Sequence, residues 1–295
     1  TLSSSSAASD VYKRQHMVLK SYSKINLSLN INKKLKSGLH QIQSYFCLIN
    51  LYDKIIIKKI NKKRDIIIFK GLFFQHINKK NNSISNLLKY LRKSKLISDF
   101  YSVTTFKNIP VFSGLGGGTS NAAFILKFLL KKKKITKNIF NKIEKIIGSD
   151  LRLFFYKQGF LDNLKNVKNF KKKQKLVFLL SQPNINYSTS YIYSKVRNYS
   201  KKTKFTFYKI NTKKKFINHI LNNKNELQSI VEKKYPVISK LLTDISNERG
   251  CYFSRMSGSG SVCYGLFNSE SSAKKALNNV KIKYPKFWFS IAKTV

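Results

Sequence analysis

Carboxylates are scarce in this chain. Only 12 of its 295 residues are Asp or Glu, so each can be weighed singly as a base or a metal ligand. Cysteine is scarcer still. Cys47, Cys251 and Cys263 are odd in number and lack CxxC spacing, which excludes a disulfide framework and a cysteine zinc site and fits a reduced, cytoplasmic setting. No apolar run approaches the ~20 residues of a membrane span, so no membrane partner is expected. Residues 1–16 are Ser/Ala-rich with no apolar core for a signal peptide. They read as a leader or remnant outside the fold.

Basic residues are abundant: 58 Lys and Arg give a formal net charge of +46. Such a balance ordinarily points to a polyanion. Here the excess is mostly lysine, spread over the whole chain with Asn, Ile, Phe and Tyr, which share A/T-rich codons. Runs such as Lys131–Lys134 and Lys171–Lys173 read as solvated faces, and no specific nucleic-acid partner is expected.

Glycine is rare but clustered. Four of the 12 glycines fall at 114, 116, 117 and 118, within Pro110-Val-Phe-Ser-Gly-Leu-Gly-Gly-Gly-Thr-Ser-Asn-Ala-Ala123. The apolar, helix-forming Ala122–Leu130 follows, with Thr119, Ser120 and Asn121 as expected caps. A glycine loop feeding a helix start offers free N–H groups and the positive dipole end, a phosphate site. No lysine follows the glycines as a Walker loop requires, and Thr119 breaks the dinucleotide spacing. His-Arg-Asp and Asp-Phe-Gly, which accompany the protein-kinase loop, are absent.

Around this loop, period-two alternation predicts a strand over 25–31, with further strands over 42–51, 54–60, 65–69 and 101–107. Helical spacing marks 82–92 and 135–147, the latter closed by Gly148. Leu153–Tyr156 reads as a short strand and 162–175 as a polar connection. A strand over 176–180 precedes helical patterns around 189–196, 216–231 and 236–246. Strands 251–257 and 262–267 flank a second glycine loop, Ser257–Ser261, before a helix (271–279) and a last strand (287–293). Strands and helices mix without a βαβ rhythm, so the class is α+β.

Among the carboxylates, Asp150 stands out, following Gly148-Ser149 at the edge of the apolar run Leu151–Phe155. It is the best candidate for a general base, with a turn aspartate as an equal alternative. Asp53, Asp65, Asp99 and Asp162 read as ordinary turn or surface acids. Lys24, near the start of a half-buried strand, is paired or functional.

The glycine-loop pattern resembles the ATP loop of the GHMP superfamily of small-molecule kinases. Lys24-Ile-Asn-Leu27, Gly38-Leu-His40, the glycine loop, Gly148-Ser-Asp150, Asn225-Glu-Leu227 and Ser257-Gly-Ser-Gly260, in that order, narrow the resemblance to the 4-diphosphocytidyl-2-C-methyl-D-erythritol kinase family. The likeness runs from about Val18 to the C-terminus. It implies a two-domain α+β fold: a ribosomal-S5-like, ATP-binding domain over 17–161 and a ferredoxin-like substrate domain over 162–295. It also implies a cytoplasmic enzyme, monomeric or weakly dimeric, that uses ATP and Mg2+. Its substrate would be cytidine diphosphate methylerythritol, phosphorylated on the 2-hydroxyl in the non-mevalonate isoprenoid pathway.

Residue by residue, the resemblance implies Lys24 and Asp150 as the catalytic pair. Pro110, Gly114, Leu115, Gly116, Gly117, Gly118, Thr119 and Ser120 would hold ATP, with Asn82 near the adenine. Asn26, His40, Thr189, Tyr193, Gly258, Ser259 and Gly260 would face the substrate, His40 and Tyr193 at its cytosine. The chain departs from the family at Leu39, where a tyrosine is usual, and at Arg152, where a proline follows the apolar residue after the aspartate. The alternatives are a homoserine or mevalonate kinase of the same superfamily, or a basic RNA-binding protein on an S5-like fold.

Overall fold

A computed structural model of the chain describes residues 16–131, 135–205 and 210–295. The expected leader over 1–16 lies outside them except for His16, and of the run Lys131–Lys134 only Lys131 is described.

The first sheet has seven strands: β1 (Met17–Asn26), β2 (Asn30–Lys34), β3 (His40–Ile60), β4 (Ile66–Gly71), β5 (Phe100–Lys107), β6 (Gln158–Asn163) and β7 (Asn166–Asn169). β3 is its spine, pairing antiparallel with β1, β2, β5 and β6. Two strands were expected over this stretch, but one 21-residue strand runs through it. β4 lies parallel to β5 at one edge. The second sheet is antiparallel in the order β11-β8-β10-β9, from β8 (Val177–Gln182), β9 (Cys251–Met256), β10 (Cys263–Phe267) and β11 (Trp288–Lys293).

Eight helices pack around these sheets among the described residues: α1 (Ser83–Lys93), α2 (Gly117–Leu129), α3 (Lys137–Ile147), α4 (Thr189–Ser194), α5 (Lys213–Leu221), α6 (Gln228–Lys234), α7 (Pro236–Ser246) and α8 (Glu270–Lys283). The apolar faces of α1 (Ile84, Leu87, Leu88, Leu91) and α2 (Ala122, Ala123, Ile125, Leu126) share a core with Ile55, Ile57 and Val103 of the first sheet. Two further cores bridge the sheets. One joins Leu29, Ile31 and Phe46 to Leu179, Leu241 and Phe267; the other joins Ile25, Tyr45 and Cys47 to Phe178, Tyr264 and Ala292. No helix among the described residues is long and apolar enough to cross a membrane.

Several expectations are corrected. Leu153–Tyr156 is no strand. Leu151–Phe155 forms a 3-10 helix with Leu151, Leu153 and Phe154 buried, because a short apolar run without alternation serves a helical turn as well as a strand. The polar stretch 162–175 contains β7, hairpinned onto β6, so the first sheet extends to Asn169. The pattern over 216–231 is two helices, α5 and α6. Between them the backbone of 224–226 pairs with Leu29: the Leu29 amide donates to Lys224 O (2.9 Å) and the Glu226 amide to Leu29 O (2.9 Å). Asp53 is not a surface acid but fully buried. Thr119, Ser120 and Asn121 do not cap α2. The cap is Gly116 at φ +72°, a left-handed conformation suited to glycine, and the three polar residues lie inside the helix.

Candidate active site

A cavity of about 530 Å³ lies where the glycine loop meets the second glycine loop, β1 and the turn carrying Asp150. Its wall brings together Lys24, Asn26, Pro110, Gly114, Gly116, Gly117, Gly118, Thr119, Asp150, Thr189, Tyr193, Gly258 and Ser259. These residues come from both halves of the chain.

Backbone contacts interlock the two glycine loops. The Ser261 amide donates to Phe112 O (3.0 Å) and the Val262 amide to Ser113 O (3.1 Å). A side chain at Gly114 (φ +72°) would run into the carbonyl of Ser257, so this approach requires glycine. Asn225 fixes the second loop from behind, its Nδ2 donating to Met256 O (2.8 Å) and Gly258 O (2.7 Å).

Lys24 emerges from β1 just after the register shift between Tyr22 and Ser23. Its backbone amide donates to Leu115 O (3.0 Å), tying the strand to the glycine loop. The side chain is 3% exposed, and Nζ stands 3.2 Å from Asp150 Oδ2 while also donating to Asn26 Oδ1. Asn26 Nδ2 donates to Ser44 Oγ (2.8 Å), which fixes the amide so that its oxygen faces the lysine. Asp150 opens the 3-10 helix and keeps 30% of its side chain exposed, at the cavity surface. Arg152 turns away from it, onto the Glu144 carboxylate (2.7 and 2.8 Å). The ammonium of Lys24 is thus held between an acid and an amide, beside a helix N-terminus. That is an arrangement for gathering negative charge.

At the far side of the cavity Thr189 Oγ1 and Ser259 Oγ lie 2.9 Å apart, joining α4 to the second loop. Tyr193 stands there with His40 against it, ring centroids 5.1 Å apart. Tyr199 lies roughly parallel to His40 at 6.2 Å. Burial, with the Lys34 charge second, lowers the His40 pKa. Burial also raises the Tyr193 pKa, with the Asp150 charge adding to it.

Some expected residues stand elsewhere. Asn82 is outside the cavity wall and caps α1, accepting from the Ser85 amide (2.9 Å) and donating to Asn78 O and Lys79 O. Leu115 is in the core, and Ser120 turns inward to Ser21 Oγ and Tyr22 O. His40 and Gly260 are off the wall, and Leu39 is exposed. Ser83 and Lys107 on the wall, and Tyr199 against His40, are polar or aromatic residues that carried no sequence signal. Lys107 and its partner Asp53 are far apart in the chain, so only the sheet reveals the pair.

The family description "GHMP kinases C terminal" matches residues 213–286. A 4-diphosphocytidyl-2-C-methyl-D-erythritol kinase of Pelagibacter ubique (strain HTCC1062) is 39% identical over 285 residues, covering 94% of this chain and 98% of that relative. One from Thermodesulfovibrio yellowstonii is 31% identical over 296 residues, covering 95% and 98%. Among solved structures, a 4-(cytidine 5'-diphospho)-2C-methyl-D-erythritol kinase superposes with a TM-score of 0.72 at 18% identity, covering 94% of this chain and 99% of that one. The fold is therefore that of the GHMP kinases, small-molecule kinases of two α+β halves. Within that class, the chain belongs to the 4-diphosphocytidyl-2-C-methyl-D-erythritol kinase family.

Proposed function

We propose that this kinase transfers the γ-phosphoryl group of ATP to the 2-hydroxyl of 4-(cytidine 5'-diphospho)-2-C-methyl-D-erythritol, in the non-mevalonate route to isoprenoid precursors. The observation that carries the reading is the Lys24–Asp150 pair, 3.2 Å apart, in the cavity that the first turn of α2 enters. The phosphates would lie on the N–H groups of Gly116–Thr119. The N–H groups at a helix start have no intrahelical partner and suit anions. Lys24 would bridge toward the transferring phosphoryl and stabilise its charge. Asp150 would orient the acceptor hydroxyl and take its proton as the new O–P bond forms and ADP departs.

The residues fit a magnesium ion carried in by the nucleotide. Among the described residues, Asp150 is the one carboxylate on the cavity wall, and no cluster of three His, Cys, Asp or Glu occurs. Magnesium commonly takes one or two carboxylates and otherwise phosphate and water oxygens. Asp150 and the wall hydroxyls of Ser83, Thr119 and Ser149 are oxygen donors that could hold it, and the ion would supply neutralisation of phosphate charge.

The base of the substrate would lie at the His40–Tyr193–Tyr199 cluster, which favours a nucleotide substrate over homoserine or mevalonate. In this reading residues 17–161 form the ATP-binding domain and 162–295 the substrate domain. The enzyme works in the cytoplasm as a monomer or weak dimer, without membrane or nucleic acid. Coupled ADP release tests the assignment: the cytidine substrate should turn over and homoserine and mevalonate should not. Preference for either competitor would sink it.

A further inference from the structure

Two lysines lie against the glycine loop, and the reaction above uses one. The other, Lys107, ends β5 with its side chain 3% exposed, yet it reaches the cavity wall beside Ile109 and Gly117. A Cβ placed on Gly117 would stand 3.4 Å from its Nζ, so the ammonium sits directly against the first turn of α2. Nζ donates to Asp53 Oδ2 and to Asn121 Oδ1 (3.0 Å). Asp53, on β3, is saturated: Oδ1 accepts from the amides of Asn108 (2.8 Å) and Ile109 (2.9 Å), and Oδ2 also accepts from Asn121 Nδ2 (2.9 Å). One carboxylate therefore fastens the start of the glycine loop (108–109), the helix after it (Asn121) and the lysine between them.

An ammonium has three N–H donors, and these contacts use two. Among the described residues its charge is matched by Asp53 alone, while the helix end it abuts adds about half a positive charge. Asp53 matches the ammonium on one side, and the positive helix end on the other leaves the space between them suited to an anion. From this we infer that Lys107 is a second phosphate-binding cation, its third N–H turned to the phosphate chain on Gly116–Thr119. Asp53 and Asn121 are positioning residues that hold it and the loop in register. The inference rests on the reading of this loop as the ATP site.

The test must separate a phosphate contact from a merely structural ion pair. Asp53→Asn with Lys107→Met removes both charges together. Replacing a whole buried pair is often neutral for stability, whereas removing one partner is not. The expected result is a melting temperature close to wild type with ADP and ATP affinities lowered at least tenfold by calorimetry. A folded double variant that binds ADP and ATP as wild type does would overturn the role of Lys107. If the double variant fails to fold, Asp53→Asn with Lys107→Gln, which also removes both charges but keeps a polar donor in place of the ammonium, carries the same readout. Wild-type protein that binds neither ATP nor ADP would instead overturn the ATP-site reading itself.

Discussion

Two lysine–aspartate pairs flank one glycine loop, and they differ in how much of each carboxylate is already committed. Asp53 is fully buried and takes four donors, from the amides of Asn108 and Ile109, Lys107 Nζ and Asn121 Nδ2. Asp150 is 30% exposed, faces the cavity and is paired with Lys24. A saturated carboxylate can fasten a loop but has no lone pair to spare for a substrate hydroxyl. A half-open one can accept a proton and exchange it with water. The same two residue types therefore build an anchor on one side of the phosphates and a reactive centre on the other. Neighbouring donors make the difference.

The comparison is broken most directly by neutralising each acid in turn. Asp150→Asn should leave folding and ADP binding intact and lower kcat by ~10²–10⁴, the range for a positioned acid–base group. Steady-state rates beside calorimetric ADP affinity check this, and near-normal turnover would remove Asp150 from the chemistry. Asp53→Asn should do the reverse. It strands a buried ammonium and should cost ~3–5 kcal/mol of stability in denaturant unfolding.

Smaller changes sharpen the picture. Gly114→Ala meets the Ser257 carbonyl at a backbone φ of +72°. It should cost about 1–3 kcal/mol of stability and raise KM for ATP and for the second substrate together, because both loops shift. Tyr193→Ala should raise KM for the cytidine substrate alone by about 1–3 kcal/mol of lost stacking. An equal rise in KM for ATP would show that the aromatic cluster does not hold the base. Smallest of all, Lys34→Ala should move the His40 pKa back up toward its ordinary value, since Lys34 is one of the two causes that lower it. An NMR titration of the imidazole reads this directly.

Much of the scaffold was legible because burial writes a period into the chain. The alternation at Ile25, Leu27, Leu29 and Ile31 and the spacing of Ile84, Leu87, Leu88 and Leu91 place strand and helix without a partner in view. Lys24, Asp150 and the glycine loop were legible because each breaks a local pattern: a cation in an apolar strand, an acid at the edge of an apolar run, glycines in a glycine-poor chain. Asp53 breaks none. In Leu51-Tyr-Asp-Lys54 it reads as a surface acid, and its partner Lys107 is 54 residues away, brought beside it by the β3–β5 pairing. The 3-10 helix at Leu151–Phe155 was missed because a short apolar run carries no period. The break at Asn225 was missed because its cause, backbone pairing with Leu29, is tertiary. Thr119, Ser120 and Asn121 read as caps by residue type, but glycine at 116 let the helix start earlier and drew Ser120 and Asn121 into the core.

The interlocked loops also bear on how the protein is made. Ser257 Oγ donates to the carbonyl of Gly114 across 143 residues of chain, and Ser261 and Val262 hold Phe112 and Ser113. On a ribosome the glycine loop emerges long before the second-loop residues that hold Phe112–Gly114. Contacts of such sequence separation are late and slow to form. The nascent chain can therefore assemble the first sheet with one flank of the glycine loop already held by Lys24 and Asp53, and the other flank is fastened only when Ser257–Val262 have been added.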